Sequence, residues 1–322
     1  MTLEHFQQKC AAVLREKMRP INETGTGGAF SQTSPVPEGP IAILAGAGQL
    51  PIQLTRHLER TGQDFRILAF RGFALPELRR QAHANVDLLD LKTIMSTLDG
   101  WRPKAVSLVG AVRRPGFSAL LGAYSLLRNM HEVKEVITRG DDQVLRGAVM
   151  LLEEHGHRVV GAHELAPDLV ALRSLKGTLE PGEDDRQAIS MGLDLLGSLS
   201  AFDIGQAAVV ARKHVLAIEG PEGTDRMLHR VRGLRQSWFG LRRREEGGVL
   251  IKAAKRGQDL RVDMPTIGSR TVIEAARAGL SGIAIGAGST FILEQEETLR
   301  TADRLGLFLV AVDLPWMEAP VG

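Results

Sequence analysis

The sequence predicts an α/β protein with two domains, and three observations carry this prediction. Short apolar runs alternate with helical patterns from Pro40 onwards, as in parallel βαβ units. The alternation stops over residues rich in proline, glycine and acidic side chains and then resumes. The chain of 322 residues is long enough for two domains. We expect an N-terminal domain over 40–164, a linker over 165–186 and a C-terminal α/β domain over 187–322.

Composition excludes several classes of protein. The chain has 40 basic and 38 acidic side chains, so a net charge of +2 argues against nucleic acid as the main partner. The single cysteine, Cys10, excludes an internal disulfide framework and a cysteine-ligated zinc site. Residues 1–19 carry charges throughout and lack the apolar core of a secretory signal. We therefore expect a cytoplasmic protein.

The first 39 residues differ from the rest of the chain. A short helix is predicted over 3–18, and the remainder is rich in Gly, Ser, Thr and Pro. Because such a segment has few large apolar side chains to offset the entropy of ordering, we expect residues 1–39 to be a flexible extension.

Each domain can be divided into elements from its pattern. In the first domain, PIAILA predicts a strand, and Gly62 ends the helix predicted over 51–60. The elements that follow are strands at 65–70 and 85–89, a helix over 90–98, a strand at 105–112, a helix over 142–155 and a strand at 158–161. The second domain is predicted to contain a helix over 186–199, a strand or hairpin within 207–219, a helix from Thr224, strands at 248–253 and 260–264, a helix from Ser269, and strands at 281–286 and 306–312.

A glycine-rich turn follows the first predicted strand. In ILAGAGQLP, Gly46 and Gly48 precede a helix, where backbone N–H groups can approach a phosphate. Pro51 replaces the third glycine of the dinucleotide fingerprint, and Arg71 lies near the position of the usual ribose-binding acid. We favour a phosphate or nucleotide loop over a simple glycine turn, and both over classical NAD binding.

Two further loops could bind anions. Arg113 or Arg114 in GAVRRPG follows a predicted strand and could clamp an anion, and a solvated basic loop is equally compatible with the pattern. Asp141 in TRGDD could contribute to a site or simply cap the helix that begins there.

The segment EGPEGTD, residues 219–225, joins a predicted strand to a helix. Thr224 suits a helix cap and Asp225 complements the helix dipole, which is a complete structural interpretation. The functional alternative is that Glu219, Glu222 and Asp225 converge on a metal and phosphates.

The most informative segment is VLIKAAKRGQDLRVDMPTIGSRT, residues 249–271. An extended 259–263 would place Asp259, Arg261 and Asp263 on one face, just after Lys252 and Lys255. Carboxylates can hold magnesium while basic side chains neutralise phosphate oxygens. An edge strand with solvated salt bridges is the structural alternative.

Seven arginines and Trp238 lie within residues 226–244. Such an amphipathic basic stretch can lie on an anionic membrane, although a partly buried helix with a charged outer face is the commoner explanation.

Taken together, the motifs resemble one family. IAILAGAGQLP, the loop from Gly110 to Pro115, RGDD, GAHE, DIGQ, EGPEGTD and above all KAAKRGQDLRVDMPTIG occur in the order found in the metal-dependent UDP-2,3-diacylglucosamine pyrophosphatases of bacterial lipid A synthesis. These are unrelated to the calcineurin-like phosphoesterases that catalyse the same step. The resemblance covers about residues 40–313.

The resemblance implies a Rossmann-like N-terminal lobe and a distinct C-terminal α/β lobe. It implies hydrolysis of UDP-2,3-diacylglucosamine to UMP and 2,3-diacylglucosamine 1-phosphate (lipid X), by magnesium-assisted attack of water on the phosphorus next to the sugar. Mg²⁺ or another divalent cation is the expected cofactor. The substrate is a membrane lipid, so transient contact with the inner-membrane surface is expected. Whether the protein forms a homodimer is left open by the sequence.

From the motifs and the resemblance we expect three sets of site residues. The catalytic set is Asp263, Asp225 and Arg261, and the metal set is Asp263, Glu222 and Asp225. The substrate-binding set is Gly46, Gly48, Gln49, Leu50, Pro51, Arg114, Asp141, Thr224, Lys252, Lys255, Gln258 and Thr266. Two other functions remain as alternatives: an NADP-dependent oxidoreductase and a non-catalytic nucleotide-sugar-binding protein.

Overall fold

The computed structural model describes residues 39–112, 141–235 and 247–317. These residues divide into two compact units. The first unit contains the described residues up to Leu165 together with Arg261–Asp263, and the second contains Ala166–Leu260 and the residues from Met264 onwards. Three features of the sequence lie outside the described residues: the predicted N-terminal helix, Arg113 and Arg114, and the end of the basic stretch over 226–244.

The first unit has a four-stranded parallel sheet in the order β3-β2-β1-β4. Its strands are β1 (Ile41–Ala45), β2 (Phe65–Phe70), β3 (Ala84–Val86) and β4 (Ala105–Val109). Every residue of β1 is buried, which explains its continuous apolar run between two neighbouring strands. The α/β class predicted from the sequence is therefore confirmed.

Helices connect and flank this sheet. They are α1 (Leu50–Thr61), α2 (Pro76–Gln81), α3 (Leu91–Trp101), α4 (Asp141–Glu154) and α5 (Ala162–Leu165). Gly62 ends α1 in the left-handed conformation, as predicted, and the Asp90 side chain caps α3 by accepting from the Thr93 N–H at 3.1 Å. The strand predicted at 158–161 is reduced to one parallel bridge between Val159 and Val106.

The second unit has a five-stranded mixed sheet in the order β11-β9-β7-β5-β6. Its strands are β5 (Ala207–Ala211), β6 (His214–Ile218), β7 (Val249–Lys252), β9 (Gly282–Gly286) and β11 (Phe308–Val312). The predicted hairpin is present, because β5 and β6 pair antiparallel. Arg212 and Lys213 form its two-residue turn with positive φ angles of 46° and 63°, as such hairpin turns require.

Four helices of this unit are α6 (Glu183–Leu199), α7 (Thr224–Arg235), α8 (Ser269–Arg277) and α9 (Gln295–Arg304). Helix α6 packs closely on the sheet, since a Cβ at Gly192 would lie 2.6 Å from Ile251 Cδ1. The acidic run that begins at Glu183 forms the first turn of α6, where Asp185 accepts from the Gly182 N–H at 3.1 Å.

Residues 166–182, which the sequence assigns to a linker, pack on the second unit. Ala171 and Leu175 are buried in its core, and Lys176 bridges to Val310. The apolar side chains of this segment account for its packing.

The strand predicted at 260–264 is wrong. Arg261 and Val262 lie in a turn, and the strand in this region is β8 (Thr266–Ile267), which pairs with β10 (Phe291–Ile292). Leu260 packs on the core of the second unit, whereas Val262 packs on that of the first. The alternating pattern therefore does not describe a strand face shared by Asp259, Arg261 and Asp263.

Among the residues described, no helix is long and apolar enough to cross a membrane.

Candidate functional site

Several strands of the second unit end at the same edge of its sheet. Strands β7, β9 and β11 are parallel, so their carboxyl ends lie together. Strand β5 is antiparallel to both β7 and β6, which brings the carboxyl end of β6 to that edge as well. Polar side chains lie before β5, after β6, at and after the end of β7, and at Thr266 further along the chain. We call them the strand-end cluster: Asp203, Gln206, Glu219, Thr224, Lys252, Lys255, Gln258 and Thr266.

Glu219 follows β6 and is a buried carboxylate, 9% exposed. Its Oε2 accepts from the Gln206 N–H at 2.8 Å, and its Oε1 accepts from the Thr224 hydroxyl at 2.5 Å. Gly205 has a φ of +53°, and a Cβ there would collide with the Glu219 carbonyl oxygen. Only glycine lets the loop before β5 approach the end of β6 this closely.

Lys252 is the last residue of β7. Its ammonium group donates to the Thr224 hydroxyl at 2.9 Å and to the Thr266 carbonyl at 3.0 Å. These two bonds fix a long flexible side chain at the beginning of α7. A fixed ammonium group beside the positive end of a helix favours an anionic ligand.

Lys255 lies three residues further along the chain and forms an ion pair with Asp203. The Gln258 side chain accepts from the Lys255 backbone N–H at 2.7 Å. Five of the substrate-binding residues predicted from the sequence therefore lie in the strand-end cluster: Thr224, Lys252, Lys255, Gln258 and Thr266. Asp203 and Gln206 are not among the site residues predicted from the sequence, although both lie in its DIGQ motif.

Two of the predicted metal ligands form ion pairs in the second unit, and the third belongs to the first unit. Glu222 pairs with Arg230 at 2.7 Å, and Asp225 pairs with Arg270 at 2.9 Å. Asp263 belongs to the first unit. Among the described residues, no group of three or more His, Cys, Asp or Glu side chains is placed to hold a metal ion. These carboxylates have the hard oxygen donors that magnesium prefers, and their binding of a divalent cation stays a prediction.

The glycine turn of the first unit closes on the loop after β4. The Gly46 N–H donates to the Val109 carbonyl at 2.8 Å, and Ala47 and Ala111 exchange backbone bonds of 2.7 and 2.9 Å. A Cβ at Gly46 would lie 2.7 Å from the Ala111 carbonyl oxygen. The N–H groups of Gly46 and Ala47 are therefore used within the protein.

The remaining residues of this turn lead into α1. Gly48 has a φ of +99°, Gln49 is the N-cap residue, and Leu50 and Pro51 begin the helix. The turn lies where the strand order reverses between β1 and β4, which is the usual ligand position in open α/β sheets. Phosphate binding by Gly48, Gln49 and Leu50 stays a prediction.

The other predicted residues have different positions. Arg261 donates to Glu153 at 2.7 Å within the first unit, and Asp263 is partly exposed in the same unit. Asp141 begins α4, but its side chain lies outside the described residues, as does the whole of Arg114.

The fold and the strand-end cluster define a class of protein: an α/β protein of two units, with a lysine-containing polar site suited to an anionic ligand. Family comparison gives the particular group. The LpxI N-terminal domain matches residues 40–169, and the LpxI C-terminal domain matches residues 173–310. The UDP-2,3-diacylglucosamine pyrophosphatase LpxI of Caulobacter vibrioides is 38% identical over 273 residues, which cover 85% of this chain and 97% of that protein. The chain belongs to the LpxI family.

Similarity to solved structures is weak. The Bordetella bronchiseptica enzyme WbmG in complex with NAD is 15% identical, with 38% of this chain and 36% of that chain covered and a TM-score of 0.26. The NAD complex of Thermus thermophilus UDP-glucose 4-epimerase is 13% identical, with 86% of this chain and 88% of that chain covered and a TM-score of 0.28. Scores this low carry no argument about ligands.

Proposed function

We propose that this protein hydrolyses the pyrophosphate of UDP-2,3-diacylglucosamine to UMP and 2,3-diacylglucosamine 1-phosphate. The observation that carries the proposal is the 38% identity to a UDP-2,3-diacylglucosamine pyrophosphatase over 97% of that relative. Both family domains match, so the relationship covers both units of the chain.

The strand-end cluster supplies what such a substrate needs. A pyrophosphate diester carries two negative charges, which repel an incoming water oxygen until they are neutralised. Lys252 and Lys255 provide positive charge, and each is held by a neighbouring side chain. Thr266 contributes the carbonyl that holds Lys252, and the Gln258 side chain bonds to the backbone of Lys255.

In the proposed reaction, water attacks the phosphorus next to the sugar. A new P–O bond forms to the water oxygen, the bridging P–O bond breaks, and UMP leaves with the electron pair of that bond. The attacking water loses one proton to solvent as the new P–O bond forms, and the second ionises afterwards from the phosphate group of the sugar product. Asp263 is the proposed group that orients this water, with Arg261 and Asp225 as further catalytic residues.

A divalent cation is also part of the proposal. When bound, it would add positive charge at the phosphate oxygens. Asp263, Glu222 and Asp225 are its proposed ligands, and the arginines that pair with Glu222 and Asp225 in the structure would have to be displaced when it binds. Dependence of the activity on the cation is measured by adding EDTA and restoring Mg²⁺.

The proposed substrate is a lipid, so the protein has to reach the cytoplasmic face of the inner membrane. Transient binding there predicts co-sedimentation of the protein with vesicles that contain the substrate. Recovery of all the protein in the supernatant after the vesicles have been sedimented would contradict this part of the proposal.

The experiment that tests the proposal is UMP release from UDP-2,3-diacylglucosamine. The wild type should release UMP with Mg²⁺, and Asp263→Ala should lose nearly all of this activity while staying folded. Asp194→Ala, an exposed carboxylate on α6, is the matched control and should keep wild-type activity. Binding of the nucleotide sugar without UMP release would instead support a binding protein, and NADP-dependent absorbance changes would support an oxidoreductase.

A further inference from the structure

Glu219 and Lys252 are connected through one hydroxyl group. The Thr224 hydroxyl donates to Glu219 Oε1 at 2.5 Å and accepts from Lys252 Nζ at 2.9 Å. A hydroxyl has a single proton and two lone pairs. Because its proton goes to the carboxylate, its lone pairs are available to the ammonium group. The carboxylate therefore orients the hydroxyl so that its lone pairs face the Lys252 ammonium group.

The carboxylate at the start of this connection is itself held in place. Its second oxygen accepts from the Gln206 backbone N–H at 2.8 Å, so both oxygens have donors. Glu219 is 9% exposed and Thr224 is 8% exposed. Hydrogen bonds to a charged group are shorter and stronger than neutral ones, and burial protects them from competing water.

The ammonium group at the other end is partly occupied. Lys252 donates to the Thr224 hydroxyl and to the Thr266 carbonyl, and an ammonium group has three donors. The two bonds remove much of the rotamer freedom of a lysine side chain before a ligand binds. The contacts within the described residues leave the third donor for a ligand oxygen.

We propose that Glu219 is a positioning residue, which acts through Thr224 to hold the Lys252 ammonium group for a phosphate oxygen of the substrate. The identity of the ligand rests on the proposed function, whereas the connection of the three residues rests on their geometry. Lys255 differs, because its ammonium group pairs directly with Asp203 instead of with the Thr224 hydroxyl.

The kinetic test uses Glu219→Gln in three backgrounds: the wild type, Thr224→Ser and Thr224→Val. Thr224→Ser keeps the connecting hydroxyl, and Thr224→Val keeps the size of the side chain but removes the hydroxyl. In the wild-type and Thr224→Ser backgrounds, Glu219→Gln should raise KM about tenfold, the change given by about 1.4 kcal/mol, with kcat little changed. In the Thr224→Val background the same substitution should change KM by less than about twofold.

A matched control separates positioning from the loss of a buried charge. Glu274 is a buried carboxylate of the same unit, and its ion-pair partners His229 and Arg277 are not members of the strand-end cluster. Glu274→Gln should lower thermal stability and leave KM unchanged. An equal rise in KM from Glu219→Gln in the serine and valine backgrounds would overturn the positioning role. Should Glu219→Gln fail to fold, Thr224→Val should still raise KM about tenfold relative to Thr224→Ser, and equal KM values in these two variants would overturn the role of the connecting hydroxyl.

A second measurement needs no substrate. Acylation of Lys252 by an amine-reactive ester, followed by peptide mass spectrometry, reports whether the ammonium group is held. The labelling rate should rise severalfold in Glu219→Gln and Thr224→Val, stay at the wild-type rate in Thr224→Ser, and remain unchanged at Lys255. If these rates change as expected while the wild type releases no UMP, the positioning stands and the proposed function is wrong. If UMP is released but neither KM nor labelling depends on Thr224, the positioning is wrong and the function stands.

Discussion

Alanine at Gly46 should destabilise the first unit, because the turn after β1 has no room for a Cβ. That atom would lie 2.7 Å from the Ala111 carbonyl oxygen and 2.9 Å from the Gly110 carbonyl oxygen. Both are backbone atoms, so a side-chain rotation cannot relieve the contact. The loop after β4 has to move away, and the two backbone hydrogen bonds between Ala47 and Ala111 would be lost or stretched.

The magnitude follows from those two bonds. Each contributes about 0.5–1.5 kcal/mol to the free energy of unfolding, so we expect a loss of about 1–3 kcal/mol. For a unit of this size, each kcal/mol lowers Tm by about 2–4 °C. Calorimetry of the wild type and Gly46→Ala measures the shift directly.

Gly100→Ala is the matched control for this substitution. Gly100 lies in α3, and a Cβ there meets nothing within 4 Å. Alanine is the better helix former by about 1 kcal/mol, so Gly100→Ala should keep or raise Tm. An unchanged Tm in Gly46→Ala, combined with a raised KM, would refute the close-approach explanation and show that this glycine is needed for the ligand instead.

Three further predictions concern packing, pH and substrate binding. Gly192→Ala should lower the free energy of unfolding by about 1–3 kcal/mol, because its Cβ would lie 2.6 Å from Ile251 Cδ1. Gly233→Ala, where a Cβ on α7 meets nothing within 4 Å, should not destabilise the protein. Urea denaturation of both variants measures the difference. Partial desolvation of its ring, and then the charge of Arg66, lower the pKa of His83 from its usual 6.5. The unfolded chain therefore takes up a proton first as the pH falls, and stability should drop below about pH 6.5. His83→Gln should flatten that dependence in Tm measured from pH 7.5 to 5, and an identical slope in the variant would contradict it. Lys255→Gln should raise KM for the nucleotide lipid about tenfold, and an unchanged KM would remove this side chain from the phosphate site.

The local elements of the fold could be predicted from the sequence because their signals are local. The all-apolar β1, the glycine that ends α1 and the hairpin of β5 and β6 each depend on residues adjacent in the chain. Turn chemistry and apolar periodicity are sufficient for such elements.

The region after β7 shows why the same reasoning fails elsewhere. Leu260 and Val262 alternate with polar residues as in a strand, but they pack on the cores of different units. Alternation of apolar and polar residues indicates that alternate side chains are buried, but it does not indicate which hydrophobic core they are buried in. The strand prediction at 260–264 was wrong for that reason.

The site was predicted in part for a similar reason. Lys252 and Lys255 could be found because two lysines precede a polar motif, but their partners come from distant parts of the chain. Glu219 is 33 residues before Lys252, and Asp203 is 52 residues before Lys255. No local pattern shows that the Thr224 hydroxyl lies between a carboxylate and an ammonium group.

The most direct test of the proposed hydrolysis is the reaction of UDP-2,3-diacylglucosamine in ¹⁸O-labelled water, followed by mass spectrometry of both products. Attack on the phosphorus next to the sugar predicts UMP without label and 2,3-diacylglucosamine 1-phosphate with one ¹⁸O atom. Label in UMP would contradict the proposed site of attack. The absence of both products would contradict the hydrolase function itself.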